Sequence, residues 1–469
     1  MIEKELVMKI NLGESTQNIH FIGIGGISMS GLAEILHKEG YTVSGSDWTA
    51  SDITRHLVTL GLDFKLGNDA LHITDDIDLV VYTAAVKANN PELIAAKEKN
   101  IPTIDRARLL GIIMDGYKYS IAVAGVHGKT TTTAIVSEVL LAADVDPTIS
   151  IGGFMESLGS NFRIGKSDYL VVESCEYFDT FLQFRPYIGI ILNVEADHLD
   201  YFGTFERMID SFHQFAENIH PNGTLVIHGG IECFDRIVSG LKCNIVTYGT
   251  ENSNVKAEGI QYNSVGLPSF NIVNEKNENY KGLNVSLKIR GRHNIDNSLA
   301  AAAIATALEI PANAIVSGLE AAIGAKRRFE HKGMYKGTTI VDDYAHHPTE
   351  IKASLSSVKG VYKRVICAFQ SHTYSRTQNH MEDFAVAFGH ADLVLVLPIF
   401  ASRELPPPVP NHLAELLTEN INKNGVEATF CDSFESATNW IKDNCQAGDL
   451  LITMGAGDIH ILGENLLES

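Results

Sequence analysis

The feature that most constrains this chain is a glycine-rich turn between an apolar strand and a helix, GVHGKTTTT at residues 125–133. Backbone N–H groups and the helix dipole at such a turn bind anions. Lys129 would reach the outer phosphates of a nucleotide, and the Thr130 hydroxyl could bind Mg²⁺. The full phosphate-loop pattern has glycine where this chain has Val123. The run GKT between a strand and a helix nevertheless favours phosphate binding over a plain strand–helix turn.

Two further strands of the same segment end in acidic or histidine side chains. LVVES places Glu173 just past an apolar strand, and IILNVEADHLD places Asp197 and His198 just past another. The carboxyl ends of parallel strands face the ligand crevice, where an acid could complete a magnesium shell. Histidine is a less usual Mg²⁺ ligand, and helix capping explains an isolated Asp–His pair equally well. The phosphate-loop pattern favours the metal interpretation.

A second glycine turn, GIGGISMS, follows an earlier strand. Gly23 and Gly25 match the first two glycines of the dinucleotide-binding pattern, whereas its third position holds Ser28. Asp47 stands where an acidic ribose ligand would lie. The pattern fits NAD, FAD or any nucleotide diphosphate, and a glycine turn used only for packing is the alternative.

Ionisable side chains also follow two strands towards the carboxyl terminus, in the runs DDYAHHPTE and QSHTYSRT. Paired histidines before a proline are atypical of a core. Neither cysteine nor carboxylate spacing supports a zinc site there. Arg376 suits a carboxylate, which it can hold through two parallel hydrogen bonds.

The run GRHNIDN at residues 291–297 precedes an alanine-rich segment, predicted to be helical over Asn297–Leu308. Glycine followed by polar residues is typical of the amino-terminal cap of a helix. The residues alone therefore assign Asn294 a capping role.

Strand–helix alternation restarts twice along the chain, which predicts α/β domains with parallel sheets. The length of 469 residues suggests about three domains at roughly 150 residues each. The second alternation begins with the strand Tyr119–Gly125, and the third follows the run KRRFE. We predict three α/β domains with the boundaries 1–118, 119–324 and 325–469.

Charge, cysteine content and apolar runs indicate which partners and which cellular location to expect. The formal net charge of −20 disfavours binding to nucleic acid. None of the six cysteines forms a C-x-x-C pair, which indicates reduced thiols. The start MIEKELVMKINLGESTQ lacks the apolar core of a secretory leader, and no apolar run is long enough to span a membrane. A cytoplasmic location follows as an expectation.

Taken together, these motifs resemble the Mur ligase family, and they occur in its order from residue 23 to residue 459. Leu199–Phe215 contains no lysine, although later-acting ligases of the family carry a carbamylated lysine there. The DNPR motif of the diaminopimelate-adding branch is also missing, and Cys175 stands where many relatives have an acid, so it is given no metal role. These departures fit the alanine-adding branch. The motifs that carry the resemblance are GIGGISMSGLAEIL, AGVHGKTTTT, LVVESCEYFDTFL, NVEADHLDYF, GRHNIDN, KRRFE, DDYAHHPTEI, FQSHTYSRT and MGAGDI.

The resemblance implies a fold and a set of roles. It implies a Rossmann-like amino-terminal domain for a UDP-sugar, a central P-loop ATPase-type domain and a Rossmann-like carboxyl-terminal domain for the amino acid. The implied UDP-sugar residues are Gly23, Gly25, Gly26, Ser28 and Asp47. The implied ATP residues are Gly125, Val126, His127, Gly128, Lys129, Thr130, Thr131, His293, Asn294, Asn297, Arg327 and Asp343. The implied amino-acid residues are Tyr344, His346, His372 and Arg376. The implied metal ligands are Thr130, Glu173 and His198, and the implied catalytic residues are Lys129, Glu173 and His198.

The implied reaction uses ATP and Mg²⁺ to join L-alanine to UDP-N-acetylmuramate. The muramoyl carboxylate would attack the γ-phosphate to give an acyl phosphate, which the amine would then attack. A recycling ligase of the same family that attaches a whole tripeptide is the nearest alternative. An NAD-dependent oxidoreductase and an ATP-driven switch are more distant alternatives, because both leave the carboxyl-terminal histidines and arginine without a purpose.

Overall fold

The computed structural model describes residues 10, 12–13, 15–83, 85–402, 404 and 412–468. Within these ranges the chain forms three sheets whose strands alternate with helices, and the prediction of a three-domain α/β protein is confirmed. Residues 1–9, part of the segment that predicts the absence of a secretory leader, lie outside the described residues. Among the described helices, none combines the length and the apolar character needed to cross a bilayer.

The first sheet lies nearest the amino terminus. Its strands are β1 (Asn18–Ile22), β2 (Thr42–Asp47), β3 (Asp63–Leu66), β4 (Leu79–Tyr82) and β5 (Thr103–Asp105), and its helices are α1 (Ile27–Lys38), α2 (Asp52–Thr59), α3 (Pro91–Glu98) and α4 (Arg106–Met114). All strands are parallel, in the order β3-β2-β1-β4-β5. The chain direction across the sheet reverses between β1 and β4, which opens a crevice at their carboxyl ends.

The second sheet has ten strands in the order β15-β14-β13-β12-β11-β10-β6-β9-β7-β8. Its strands are β6 (Tyr119–Ala124), β7 (Thr148–Met155), β8 (Ser160–Arg163), β9 (Tyr169–Glu173), β10 (Ile188–Ile191), β11 (Thr224–His228), β12 (Asn244–Tyr248), β13 (Val255–Tyr262), β14 (Pro268–Asn274) and β15 (Leu283–Ser286). Its helices are α5 (Lys129–Ala142), α6 (Leu199–Phe202), α7 (Phe205–Glu217), α8 (Phe234–Val238), α9 (Arg292–Ala307) and α10 (Ala312–Ala321). In the order of the sheet, the six neighbouring strands β12-β11-β10-β6-β9-β7 are parallel to one another. Strand β8 pairs with β7 in the antiparallel direction.

The third sheet has six strands in the order β16-β17-β21-β18-β19-β20. Its strands are β16 (Glu330–Tyr335), β17 (Thr338–Asp343), β18 (Arg364–Phe369), β19 (Leu393–Val396), β20 (Glu427–Phe430) and β21 (Asp449–Met454). Its helices are α11 (Pro348–Ser356), α12 (Tyr374–Asn379), α13 (Met381–Ala387), α14 (Leu413–Lys423), α15 (Phe434–Asn444) and α16 (His460–Glu468). Only the edge pair β16–β17 is antiparallel among the described pairs of this sheet.

By its internal packing the described chain divides into two compact units. The first contains the residues up to Lys256 together with Ile272–Leu283 and Asn297–Leu319, and the second contains Ala257–Asn271, Asn284–Asp296 and the residues from Glu320 onward. Each unit has its own apolar core. The central strands β6, β10 and β21 are buried over almost their whole length, as expected for parallel strands covered by helices.

Candidate active site

A turn rich in glycine separates β6 from α5 and leaves the start of the helix open. Gly128 precedes the helix with φ +83°, and no side chain caps the helix amino terminus. Gly125 has φ +143°, and a Cβ there would lie 2.9 Å from Cβ of Leu192. Glycine suits both positions, because residues with a side chain rarely adopt these angles. The uncapped N–H groups of this 14-residue helix form a site for an anion.

The Lys129 ammonium is held inside the turn by three oxygens. Nζ donates to the carbonyl oxygens of Gly125 (2.6 Å) and Val126 (3.0 Å) and to Oε2 of Glu176 (2.9 Å). Burial by itself would lower the pKa of Lys129, but Glu176, Cys175 and Glu173 together more than offset this effect, so the pKa is raised. Lys129 therefore stays a cation at the turn and can pair with phosphate.

Thr130 and Glu173 share a hydrogen bond beside the turn. Thr130 Oγ1 donates to Glu173 Oε1 (2.8 Å), and the N–H of Gly152 donates to Glu173 Oε2 (2.6 Å). Thr130 lies in the first turn of α5 and Glu173 ends β9, so the pairing of β6 with β9 brings the two together. Hydroxyl and carboxylate oxygens are ligands that Mg²⁺ prefers, and this donor pair fits that ion.

His198 is placed by an unusual backbone angle and an aromatic stack. Its φ is +53°, and its ring stacks on Tyr177 with the centroids 4.4 Å apart and 29° between the planes. Nε2 of His198 lies 3.7 Å from an oxygen of Glu176 and 3.7 Å from an oxygen of Asp197. The structure thus connects His198 to the turn through Glu176.

Asparagine side chains border the turn on two sides. Asn193 accepts a hydrogen bond from the N–H of His127 (2.8 Å) and donates to the His127 carbonyl oxygen (3.0 Å). Asn297 of α9 also lies close, because a Cβ on Gly128 would be 3.0 Å from its Oδ1. The other predicted residues of the turn are buried or half-buried, namely Val126 and Thr131.

The first glycine turn follows β1 and is tied to the end of β2. The N–H of Gly23 donates to the Ser46 carbonyl oxygen (2.8 Å), and the N–H of Gly25 donates to Asp47 Oδ2 (2.9 Å). A Cβ on Gly25 would lie 2.8 Å from that oxygen, so glycine allows the turn to approach the acid. Gly26 precedes α1, whose amino terminus has no side-chain cap. This turn also presents an open helix end to an anion, with Asp47 beside it.

Ser28, in the first turn of α1, accepts a hydrogen bond from Nη1 of Arg106 (3.0 Å). Burial lowers the pKa of Arg106, while Cys175 and Asp105 act in the opposite direction. An arginine pKa starts so high that the guanidinium remains charged near neutral pH. Arg106 therefore adds a cation beside the open end of α1.

Sequence reasoning missed two charged residues, Arg106 and Glu176. Arg106 directly follows β5, and Glu176 lies three residues past the end of β9. A charged residue just past the carboxyl end of a parallel strand was the available signal in both cases.

Arg327 and Asp343 lie at the carboxyl end of β17. Arg327 has φ +61°, and its Nε donates to Asp342 Oδ2 (2.9 Å). Asp343 accepts hydrogen bonds from the N–H of Ala345 (3.0 Å) and from the Ser354 hydroxyl. Burial raises the pKa of Asp343 to about 6, although Ser354 acts in the opposite direction. The structure thus pairs Arg327 with Asp342, the neighbour of the predicted residue.

The four residues predicted for the amino acid are brought together within the second unit. The ring centroids of Tyr344 and His346 are 5.4 Å apart, and those of His346 and His372 are 5.9 Å apart. Burial lowers the pKa of His346 to about 3, with Glu350 opposing this shift and Arg376 adding to it. His346 is therefore neutral near pH 7 and close enough to Arg376 to sense its charge.

His293 and Asn294 lie inside the first turn of α9, because this helix begins at Arg292 and not at the predicted Asn297. Gly291, with φ +96°, turns the chain just before the helix. Asn294 Nδ2 donates to the Arg290 carbonyl oxygen (2.6 Å). The capping interpretation of Asn294 is wrong, since a capping residue precedes the first helical turn.

Models of one protein family match three consecutive parts of the chain. The model described as "Mur ligase family, catalytic domain" matches residues 18–118, "Mur ligase middle domain" matches residues 123–305, and "Mur ligase, glutamate ligase domain" matches residues 327–457.

Curated relatives and solved structures agree with these matches. A UDP-N-acetylmuramate–L-alanine ligase of Clostridium novyi is 46% identical over 98% of this chain and 99% of its own. One of Agathobacter rectalis is 48% identical over 96% and 98%. The crystal structure of the UDP-N-acetylmuramate-alanine ligase of Thermotoga maritima is similar with a TM-score of 0.76 and 28% identity, over 96% of this chain and 98% of that one. A murein peptide ligase of Psychrobacter arcticus shares the fold, with a TM-score of 0.67 and 24% identity over 96% and 98%.

Proposed function

The chain belongs to the Mur ligase family, and on that premise we infer that it uses ATP to join L-alanine to the carboxylate of UDP-N-acetylmuramate, a step in peptidoglycan precursor synthesis. Relatives of that activity match the chain over nearly their full length. The structural observation that carries the proposal is the Lys129 ammonium in an open glycine turn, next to the Thr130–Glu173 pair. A turn of this kind suits the phosphates of ATP.

The proposal assigns one substrate to each predicted domain. Residues 1–118 bind the UDP-sugar, residues 119–324 bind ATP, and residues 325–469 bind the amino acid. Gly23, Gly25, Gly26, Ser28 and Asp47 serve the UDP-sugar. Gly125–Thr131, His293, Asn294, Asn297, Arg327 and Asp343 serve ATP, and Thr130, Glu173 and His198 serve the metal. Tyr344, His346, His372 and Arg376 serve L-alanine.

In the first step, an oxygen of the muramoyl carboxylate attacks the γ-phosphorus of ATP. The bond from that phosphorus to the bridging oxygen breaks, so ADP leaves and an acyl phosphate forms. The transition state carries negative charge on the phosphoryl oxygens, which the Lys129 ammonium and the open end of α5 stabilise. A magnesium ion held by Thr130 and Glu173 would neutralise further charge there.

In the second step, the amine of L-alanine attacks the acyl carbon. The tetrahedral intermediate then expels phosphate, and the nitrogen loses a proton as the amide forms. Arg376 can hold the carboxylate of the incoming alanine. With a pKa of about 3, His346 is a weak base, so we assign it to orienting the amine rather than to storing its proton.

A cytoplasmic location belongs to the same proposal. ATP is the cosubstrate, and all six cysteines are free thiols, as expected in a reducing compartment.

The test is phosphate release from ATP by the purified protein with Mg²⁺ and UDP-N-acetylmuramate. L-Alanine, glycine or the tripeptide L-Ala-γ-D-Glu-meso-diaminopimelate is added in separate reactions. We expect release that requires both UDP-N-acetylmuramate and L-alanine. Release with the tripeptide alone would assign the chain to the recycling reaction, and release that needs neither substrate would contradict a ligase.

A further inference from the structure

Trp48 is a large apolar side chain that the fold leaves in solvent. It directly follows β2 and is 74% exposed. Burying an indole ring contributes strongly to stability, so most tryptophans are largely covered. An exposed indole beside a candidate ligand site therefore calls for a functional explanation.

The exposed indole is nevertheless held in place. With the Asn68 amide oriented to satisfy both its neighbours, Trp48 Nε1 donates to the Asn68 oxygen (3.0 Å) and the Asn68 nitrogen donates to Glu92 Oε2 (3.0 Å). Glu92 is fully buried and also accepts from the Ser46 hydroxyl (2.7 Å), with His72 Nδ1 2.8 Å from its other oxygen. A chain of hydrogen bonds thus joins the indole edge to the interior of the domain and leaves the ring faces to solvent.

The same stretch of chain organises the first glycine turn. The Ser46 carbonyl oxygen accepts the N–H groups of Gly23 (2.8 Å) and Ile24 (3.0 Å), and the Asp47 carboxylate accepts that of Gly25 (2.9 Å). Trp48 is the next residue. In doubly wound folds the diphosphate lies at this turn and the ribose lies at the acid that ends the second strand. The base is attached to that ribose, and Trp48 is the side chain that directly follows this acid.

We propose that the Trp48 indole is the stacking platform for the uracil base of the nucleotide-linked substrate, and that Asn68 is its positioning residue. This inference rests on the proposed function. Stacking needs only a flat π-face, which the exposed ring supplies. Because the hydrogen bond to Asn68 already fixes the ring, its binding to a base costs less conformational entropy than that of a mobile side chain. Stacking accepts any base, so Trp48 contributes affinity and the choice of uracil is made by other groups.

Fluorescence tests the contact directly, because the chain has only two tryptophans, Trp48 and Trp440. In the variant Trp440→Phe, the emission comes from Trp48 alone. Uridine diphosphate is expected to quench this emission saturably. Inorganic pyrophosphate, which has the phosphates without the base, is expected to leave it unchanged. Calorimetry on the wild type measures UDP binding independently.

Kinetics test the contribution to affinity. Trp48→Ala should raise KM for UDP-N-acetylmuramate by roughly 10- to 100-fold, the usual contribution of one stacked base, while Trp48→Phe should recover most of the loss. Asn68→Ala should raise the same KM less, with kcat and the KM for ATP unchanged. Leu71→Ala is the matched control, since Leu71 is 82% exposed in the same domain and is expected to have no effect.

The outcomes separate this inference from the ligase assignment. UDP binding to the wild type without quenching of Trp48, together with an unchanged KM in Trp48→Ala, would overturn the platform and leave the ligase intact. Absence of UDP binding to the wild type would overturn both.

Discussion

Lys129 and Glu176 form an ion pair, and removing either partner should change both the stability of the fold and the rate of turnover. The Glu176 side chain is 1% exposed, and its carboxylate lies 2.9 Å from the Lys129 ammonium. We expect Lys129→Ala to lower turnover by roughly 10²- to 10³-fold, because the phosphoryl charge loses its fixed cation. We also expect the free energy of unfolding to fall by about 3–5 kcal/mol, because the buried Glu176 carboxylate loses its ammonium partner. Phosphate release and chemical denaturation measure the two effects.

The double variant Lys129→Ala/Glu176→Gln separates these effects. Removing the carboxylate charge should recover most of the lost stability and none of the lost turnover. Turnover close to wild type in a folded Lys129→Ala protein would remove Lys129 from the phosphate site. Unchanged stability in that variant would contradict the ion pair.

Asp343 gives the stability of the protein a specific pH dependence. Its pKa is raised from 3.8 to about 6 by burial, so folding favours its neutral form. Below about pH 4 the acid is protonated in both the folded and the unfolded states, and it adds no penalty. Between about pH 4 and pH 6 the unfolded state ionises Asp343 while the folded state keeps it neutral, so stability falls by about 3 kcal/mol in total and levels off above pH 6.

Asp343→Asn should remove this penalty, because its amide keeps an oxygen for the Ala345 N–H and offers a donor to the Ser354 hydroxyl. Relative to wild type, the variant should gain about 3 kcal/mol between pH 4 and pH 8. Denaturation of both proteins across that range measures the difference. A difference that does not change with pH would show that Asp343 titrates normally.

At the scale of elements, helix α4 contacts the segment Tyr177–Gln183 through a glycine. A Cβ on Gly111 would lie 2.3 Å from the Gln183 carbonyl oxygen, so Gly111→Ala must push the helix away. We expect a loss of about 1–3 kcal/mol in the free energy of unfolding. Arg108→Ala, an exposed change on the same helix, is the control and should alter stability by less than about 0.5 kcal/mol. Equal effects of the two changes would contradict close packing at Gly111.

Elements with long apolar runs could be predicted from the sequence almost to the residue. Strand β6 begins at the predicted Tyr119 and ends one residue before the predicted Gly125, and α9 ends one residue before the predicted Leu308. The edge strand β8, SNFR, could not be predicted, because it is short and only half-buried. The start of α9 was misplaced because polar residues fill its first turn and look like a cap.

The clusters of the candidate site could be predicted, since parallel sheets collect polar residues at the carboxyl ends of their strands. The partners of those residues could not. Lys129 and Glu176 are 47 residues apart in the chain. Trp48 follows β2 and donates a hydrogen bond to Asn68, which follows the neighbouring strand β3. Such contacts depend on how elements pack, which no local pattern records.

At the scale of the whole molecule, the proposed substrate groups are divided between two units with separate cores. The first glycine turn and the phosphate loop belong to the first unit, whereas Tyr344, His346, His372 and Arg376 belong to the second. A ligand that binds only the folded form of one unit stabilises that unit by mass action. UDP should therefore act on the first unit alone.

We expect calorimetry to resolve two unfolding transitions. UDP should raise the Tm of the first unit's transition and leave the other Tm unchanged. At a UDP concentration of 100 times its Kd, the stabilisation is about 2.7 kcal/mol, which corresponds to several degrees in Tm. Trp440 is half-buried against the core of the third sheet, in the second unit. In the variant Trp48→Phe it is the remaining tryptophan, so its emission reports the unfolding of the second unit. That transition should keep its Tm when UDP is added to the wild type. A single transition that UDP raises, with the Trp440 emission following it, would instead show that the two units unfold as one, because stabilisation of the first unit could reach the second only through a shared cooperative transition.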